Sequence, residues 1–395
     1  MQILRNIRKE QIKKELEDIG VAPEAYSNFL KKSEYHIVKL NELSLAQANI
    51  FKQIALICGA DVAIPKDAYF VSKKRKFSVL LFANSREIEK IIDRLNEQPW
   101  MVKIITPLSE ILKTASNPIL NFGEDQIEFD RTYIMGIINL SPDSFYSGSR
   151  YTTVSTIRKI FEEMVQNGAD FIDIGAESTR PGAKMLSVEE EIARLKPVLP
   201  SITKNTKIPI SVDTYKAEVA KYALDHGAKI INDVSGFGFG RLNKKLAQTI
   251  AQYKAGVVIM HIQGTPATMQ INPHYNNLMS EIHKYLRIRI DFALNNGIDL
   301  KKIIIDPGLG FGKTVKDNYE IIKRLAELTV FQRPILVGHS RKSFIGVPFN
   351  LPPEERLEGT LAVQALLIKN GASIIRVHDV AEAKKVAQLV DNIVR

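Results

Sequence analysis

A single cysteine, Cys58, stands in a chain of 395 residues. One thiol excludes an intrachain disulfide and any metal site built from several cysteines, and it leaves Cys58 to be read as a small buried apolar side chain within IFKQIALICGA. No apolar run reaches the roughly 18 residues that a membrane-spanning helix needs. The first residues, MQILRNIRKEQIKKELED, are charged throughout and lack the apolar stretch of a secretory signal. A soluble, cytoplasmic protein with no membrane partner is therefore expected. There is no internal repeat and no low-complexity tract, which sets aside solenoids and disordered linkers. Basic residues form no stripe interleaved with aromatics, and the one dense cluster, Lys73-Lys74-Arg75-Lys76, reads as a solvated turn. Nucleic acid is not an expected partner.

What the chain does have is ordinary globular composition, 45% apolar and 25% charged, at a length that suits two domains. The net charge of +10 is uneven: 19 Lys and Arg face 18 Asp and Glu up to residue 130, and 35 face 26 thereafter. A basic second part suits anionic small-molecule substrates. From Tyr133 onward, eight short β-rich runs alternate with amphipathic stretches. The runs are YIMGIINL (133–140), FIDIGA (171–176), IPISVD (208–213), KIIND (229–233), GVVIMHI (256–262), IIIDP (303–307), PILVGHS (334–340) and IIRVHD (374–379). The alternation predicts parallel strands joined by crossover helices. Eight such units predict an α/β protein whose main domain, 129–395, is a closed (β/α)8 TIM barrel, a fold of roughly 250 residues. An open doubly wound sheet asks for a Gly-rich turn after the first strand, where this chain has Asn-Leu-Ser-Pro-Asp. Residues 1–128 predict a small α+β domain without a chemical motif, with helices near 4–18, 43–58 and 85–97 and strands at 35–40 and 77–83. The boundary is expected in the loop 116–130.

In such a barrel, eight loops converge at the C-terminal ends of the strands. Polar residues stand at every one of those ends: Asn139, Glu177-Ser178-Thr179-Arg180, Asp213, Asn232 with Asp233, His261 with Gln263, Asp306, Ser340-Arg341-Lys342, and Arg376 with His378. Taken singly, each is as readily a helix cap or a satisfied buried polar group. All eight together point to a site. The carboxylates of Asp213 and Asp306 and the amides of Asn232 and Gln263, in an apolar mouth, suit the edge of a flat nitrogen heterocycle. Arg180, Lys342, Arg376 and His378 suit a phosphate group. Gly312-Lys313-Thr314 looks like the end of a phosphate-binding P-loop, but that motif needs glycine five places before Gly312, where Pro307 stands. No ATP site is expected there, and replacing Lys313 is expected to be mild. His261, His339 and His378 lack the paired spacing of zinc ligands.

The motifs IMGIINLSPDSF (134–145), GADFIDIGAESTRPGA (168–183), ISVDTYKAEVA (210–220), INDVSG (231–236), MHIQGTPATMQ (260–270), IDPGLGFGKT (305–314), GHSRKSFIG (338–346) and RVHDV (376–380) cover the chain from about Tyr133 to its end. Together they make this region resemble the dihydropteroate synthase family of the folate pathway. The resemblance implies a transferase that condenses 6-hydroxymethyl-7,8-dihydropterin pyrophosphate with p-aminobenzoate, releasing pyrophosphate and 7,8-dihydropteroate. It implies that Asp213, Asn232, Asp306 and Lys342 hold the pterin edge, with Met260 and Phe311 packing near the ring. It further implies that Asn139 ligates Mg²⁺ and that Arg376 and His378 anchor the pyrophosphate. Thr179, Arg180 and Pro181 on the second loop, with Pro142, Asp143, Ser144 and Phe145 on the first, are expected to close over p-aminobenzoate, and Ser343 and Lys342 to meet the benzoate side. By the same resemblance Asp213, Asp306, Lys342 and Arg180 form the catalytic set, sulfonamides compete for the site, and the assembly is a homodimer.

The chain also departs from the family pattern. Leu140-Ser141 replaces Val-Thr, Tyr-Ser-Gly-Ser follows Phe145, and His339 takes the place of a small residue, from which it could crowd the pocket or reach a phosphate. Two other readings are open to such a barrel. A pterin-dependent methyltransferase would not need the pyrophosphate anchors or the SPDSF and STRPG loops, and a non-catalytic pterin-binding protein would not need every polar group kept.

Overall fold

The computed structural model describes residues 7, 9–69, 76–112, 117–140, 154–178, 185–204 and 206–394. The chain divides into two compact units, Met1–Ser116 and Asn117–Arg395. In the first, β1 (Tyr35–Leu43), β2 (Asp61–Ala63) and β3 (Phe77–Asn84) form an antiparallel sheet in the order β1-β3-β2. One face packs on helices: Leu81 meets Phe51 and Ala55 of the helix Leu45–Ile57, Ile88 and Leu95 of Ser85–Asn96, and Leu108 of Val102–Leu112, all in one buried cluster. Two of these helices start at reciprocal caps, Ser44 with Gln47 and Asn84 with Glu87, which satisfy free N–H groups at their first turns. Cys58 is buried in this core. The helix Val102–Leu112 escaped the sequence reading because Pro107 lies inside it, and proline ordinarily marks a helix end.

The second unit opens with a hairpin, β4 (Ile119–Phe122) and β5 (Asp125–Glu128), turned at Gly123 with φ +59°. The sequence put a linker here and the domain boundary at 128/129; the structure moves that boundary to 116/117. The reason is packing. Leu120 and Phe122 on one face of the hairpin, with Phe129 after it, are buried in one cluster with Met135, Phe171, Ile230, Val258, Ile304, Leu336 and Ile374.

Those last seven residues come from seven different barrel strands. The strands are β6 (Tyr133–Asn139), β7 (Phe171–Gly175), β8 (Ile210–Asp213), β9 (Ile230–Asp233), β10 (Gly256–Met260), β11 (Ile303–Asp306), β12 (Leu336–Gly338) and β13 (Ile374–Val377). They lie parallel in the order β11-β10-β9-β8-β7-β6-β13-β12, and a parallel bridge between Ile305 and Ile335 closes the ring. This is the expected TIM barrel. Side chains alternate across each strand. Ile134, Ile172, Val212, Ile231, Val257, Ile305, Val337 and Ile375 face outward into the helical layer; the cluster that holds the hairpin faces inward and forms the floor. The start of the barrel is pinned to its second strand and to its last helix: Arg131 grips Asp170 through two hydrogen bonds of 3.0 and 2.6 Å, and Asp391 of the last helix accepts from Thr132 N and Oγ1 at 2.7 and 2.8 Å.

A chain beginning at Asn117 is expected to be more stable than one beginning at Phe129, by roughly 3–6 kcal/mol, since Leu120 and Phe122 each bury a large apolar side chain worth about 1.5–3 kcal/mol. Urea unfolding of the two chains measures this, and equal midpoints with equal slopes would make the hairpin an appendage rather than the floor of the barrel.

Candidate active site

Two residues further along from the floor, the inward-facing positions of five strands turn polar. Phe171 is followed by Asp173, Ser211 by Asp213, Ile230 by Asn232, Ile304 by Asp306 and Ile374 by Arg376, while Val258 is followed by Met260. A two-residue step in a parallel ring keeps every side chain inside the barrel, so the strand period itself gathers these groups into one layer. The guanidinium of Arg376 donates from Nε to Asp173 Oδ2 at 2.7 Å and from Nη2 to Asp213 Oδ2 at 3.3 Å. Asn232 Nδ2 donates to the same Asp173 oxygen at 2.9 Å. Asn139 ends β6 beside this set: a Cβ added to Gly175 would lie 3.4 Å from its Oδ1 and 3.9 Å from Asp213 Oδ2.

Burial sets the electrostatics of this layer. Removal from water, and then the Asp173 charge, push the Asp213 carboxyl up to about 8. Asp306 is raised by burial too, against the hydrogen bond that its Oδ1 accepts from Gly308 N at 2.7 Å. Burial presses Lys342 down to about 8, although the Asp306 carboxylate favours its charge. The Lys342 ammonium donates to the Leu309 carbonyl and sits 4.4 Å from the centre of the Phe311 ring. Beside it, Val234, Met260, Ile262 and Met269 form an apolar wall, with Tyr215, Phe239 and Phe311 against it. Ser343 follows Lys342 and is exposed. His378 lies by the end of β13, its Nδ1 3.0 Å from Ser340 Oγ.

The structure thus brings together Asn139, Asp213, Asn232, Met260, Asp306, Phe311, Lys342, Arg376 and His378 around the C-terminal mouth of the ring. Phe145, Thr179, Arg180 and Pro181, with Pro142, Asp143 and Ser144, lie outside the described residues. Three sequence expectations are corrected. His339 does not reach the pocket: it points outward, fully buried, with Nε2 3.1 Å from the Thr360 carbonyl, and burial lowers its pKa to about 4. Gln263 builds its own loop, donating to His274 O and accepting from His274 N. Asp233 faces away from the site and accepts from Ser235 N, Ser235 Oγ and Phe237 N, fixing the turn after β9. Lys313 is not a P-loop lysine, because Thr314 and Asp317 cap the following helix with their own side chains; it is nevertheless buried, at 3% exposure, against His261, which removes the ground for expecting its replacement to be mild.

Asp173 was missed. It sits inside an apolar run, FIDIG, two residues before the strand end, and only its inward phase relative to Phe171 could have exposed its role. Its Oδ1 and the neighbouring Ser211 Oγ, paired across β7 and β8, are buried and have no hydrogen-bond partner among the described residues. At the base of the second loop, Tyr215, Lys216 and Glu191, which the sequence reading missed, gather round the strand-end residue Glu177. Glu177 accepts from Tyr215 OH at 2.7 Å, from Leu186 N at 2.9 Å and from Lys216 Nζ, and Lys216 also reaches the buried Glu191 at 2.7 Å.

The family described as pterin binding enzyme matches residues 135–378 of the chain. A dihydropteroate synthase of Clostridium beijerinckii is 43% identical over 267 residues, which cover 67% of this chain and 96% of that protein. A bifunctional dihydropteroate synthase/dihydropteroate reductase of Helicobacter pylori is 33% identical over 384 residues, 96% of each chain. The solved structure of Yersinia pestis dihydropteroate synthase with a sulfonamide drug complex superimposes with a TM-score of 0.66 at 36% identity, covering 70% of this chain and 98% of that one. The polar layer, the barrel that presents it and these likenesses agree: the chain belongs to the pterin binding enzyme family, as one of its dihydropteroate synthases.

Proposed function

We propose that the chain joins 6-hydroxymethyl-7,8-dihydropterin pyrophosphate to p-aminobenzoate, using the inward polar layer for the pterin and the rim above it for the other groups. The observation that carries this is the layer itself, in which Asp213, Asn232 and Asp306 stand together at the bottom of an apolar mouth. Buried acceptors of this kind call for a ligand edge with several N–H donors, which a pterin supplies. Met260 packs on the ring and Lys342 donates to it, while Phe311, half-buried on the loop above, borders both the ring and the second substrate. Arg376 and His378 take the pyrophosphate together with Arg180, while Phe145, Thr179, Pro181 and Ser343 meet p-aminobenzoate. Among the described residues no group of three or more His, Cys, Asp or Glu is placed to hold a metal. Asn139 contributes one hard neutral oxygen, which fits Mg²⁺, an ion that keeps most of its waters and shares phosphate oxygens. Bound there, Mg²⁺ would offset charge on the departing pyrophosphate.

No nucleophilic side chain is required. As the C–O bond to pyrophosphate breaks, the dihydropterin ring releases electron density toward its exocyclic methylene. Asp213 and Asp306 stabilise the positive charge left on the ring, and Arg376 and His378 stabilise the leaving group. The aniline nitrogen of p-aminobenzoate then forms the new C–N bond and gives up a proton. A cytoplasmic homodimer belongs to the same proposal. No helix among the described residues is long and apolar enough to cross a membrane.

The likeness to the Helicobacter pylori protein runs through the first unit as well, over 96% of both chains. That supports a second activity, reduction of dihydropteroate, which the first unit would add to the barrel.

Turnover of the two substrates with Mg²⁺ tests the main reading, and separates it from methyl transfer and from mere pterin binding. Asp213→Ala should lower kcat/KM more than about a hundredfold, since a buried hydrogen-bonding partner of the ring is lost; near-normal turnover would remove Asp213 from the site. Lys342→Ala should be similarly impaired.

The pH dependence follows from the same two groups. Ring N–H donors need the Asp213 carboxylate ionised, which happens as pH rises through about 8. Lys342 must stay protonated, and it loses its proton over the same range. The profile of kcat/KM, which reports free-enzyme groups, should be a narrow bell centred near pH 8. In Lys342→Arg the descending limb should move well to the alkaline side, because a guanidinium keeps its charge; an unchanged limb assigns it to another group.

For the second activity, 7,8-dihydropteroate and a reduced nicotinamide or flavin should be consumed together by the whole chain and not by a chain beginning at Asn117. No consumption by either removes the reductase reading and leaves the synthase reading intact.

A further inference from the structure

The loop 307–314, between β11 and the helix Val315–Arg324, lies pressed between the end of β10 and Lys342. Gly308, Gly310 and Gly312 in it all have positive φ, at +68°, +81° and +67°. A Cβ on Gly308 would lie 2.0 Å from the His261 carbonyl, and one on Gly312 would lie 2.5 Å from the Gln263 carbonyl. The loop backbone therefore rests directly on the residues that follow β10. Lys313 fastens it there from inside. Its ammonium lies 2.9 Å from His261 Nδ1, donates to the Phe311 carbonyl at 2.9 Å and reaches the His261 carbonyl at 3.4 Å. Tyr275 adds an outer tie, donating to Gly312 O at 2.7 Å. On the opposite side of the same loop, Lys342 holds Leu309 O and stands over the Phe311 ring.

We propose that Lys313 is a positioning residue for the second substrate, acting through Phe311 without touching either substrate. The argument is one of depth. Of the pterin-edge partners, Asp213, Asn232 and Asp306 are strand residues and Lys342 is carried by the turn after β12, so all four are held whether or not the loop is fixed. Phe311 is only half-buried and stands above them, with exposed Ser343 and with Lys342 on the rim. An amine that attacks a pterin already seated on the strand ends has to arrive past that rim. The carbonyl of Phe311 is one of the three groups Lys313 holds, so loss of Lys313 frees the backbone that aims the Phe311 ring.

This inference rests on p-aminobenzoate being the second substrate, and wild-type turnover settles that point by itself. The inference is then tested by steady-state kinetics of Lys313→Met with each substrate varied in turn. A buried donor to two carbonyls and a ring nitrogen is removed, so KM for p-aminobenzoate should rise about tenfold or more. KM for dihydropterin pyrophosphate should stay within about twofold, a split that general destabilisation would not produce. In a Phe311→Ala background, Lys313→Met should add less than about a further twofold to the KM for p-aminobenzoate, as expected when one residue acts through the other. Should Lys313→Met not fold, Lys313→Gln, whose amide keeps one donor, carries the same comparison, with a smaller rise and the same split. Equal rises in both KM values, no rise in either, or full additivity with Phe311→Ala would each overturn the proposal.

Discussion

The guanidinium of Arg376 stands between two carboxylates that the barrel has taken out of water, and the arrangement of the mouth depends on that compensation. Asp173 is fully buried and Asp213 nearly so. An isolated carboxylate at such a depth is too costly to ionise, and its pKa climbs until it is neutral. Arg376 gives Asp173 the shorter bond and Asp213 the longer one, and the result is unequal. Asp173, which also accepts from Asn232, becomes part of the framework. Asp213 remains pushed up to about 8 and keeps acceptor capacity to offer. A ligand bringing N–H donors to Asp213 completes what Arg376 only begins.

The same reasoning extends across the ring to Asp306 and Lys342. Burial raises the acid and lowers the base. Each is held short of its ordinary charge by lack of water, and each gains from a polar ring seated between them. This is preorganisation in its electrostatic form: dipoles and charges are fixed before the substrate arrives, and the substrate need not reorganise solvent to meet them. In the proposed reaction, binding and stabilisation of a cationic ring draw on one set of groups.

Much of this was legible in the sequence because it follows from strand periodicity. Runs such as IIID and FIDIG, bounded by helical stretches, announced a parallel ring, and polar residues at eight strand ends announced its mouth. What periodicity cannot give is the phase of a residue near a strand end. Asn232 and Asp233 are adjacent and both polar, yet one enters the barrel and the other ties down a turn; His339 and Lys342 are three apart, and only the lysine faces the site. Asp173 stayed hidden because it lies within a strand rather than after one. The hairpin β4–β5 looked like a linker for a related reason: four-residue strands are too short to stand out, and their burial comes from contacts with strands far along the chain.

The barrel unit carries its own floor, its own closure and its own site, which bears on what the first unit contributes. The Clostridium beijerinckii relative consists almost wholly of the part that aligns with the barrel region, so this fold does not require the first unit to exist. Net charge does not separate the two units: 19 Lys and Arg face 14 Asp and Glu through Ser116, and 35 face 30 from Asn117 onward. What the first unit has of its own is an apolar core. A unit that the barrel does not need for its own folding is free to carry a separate chemistry.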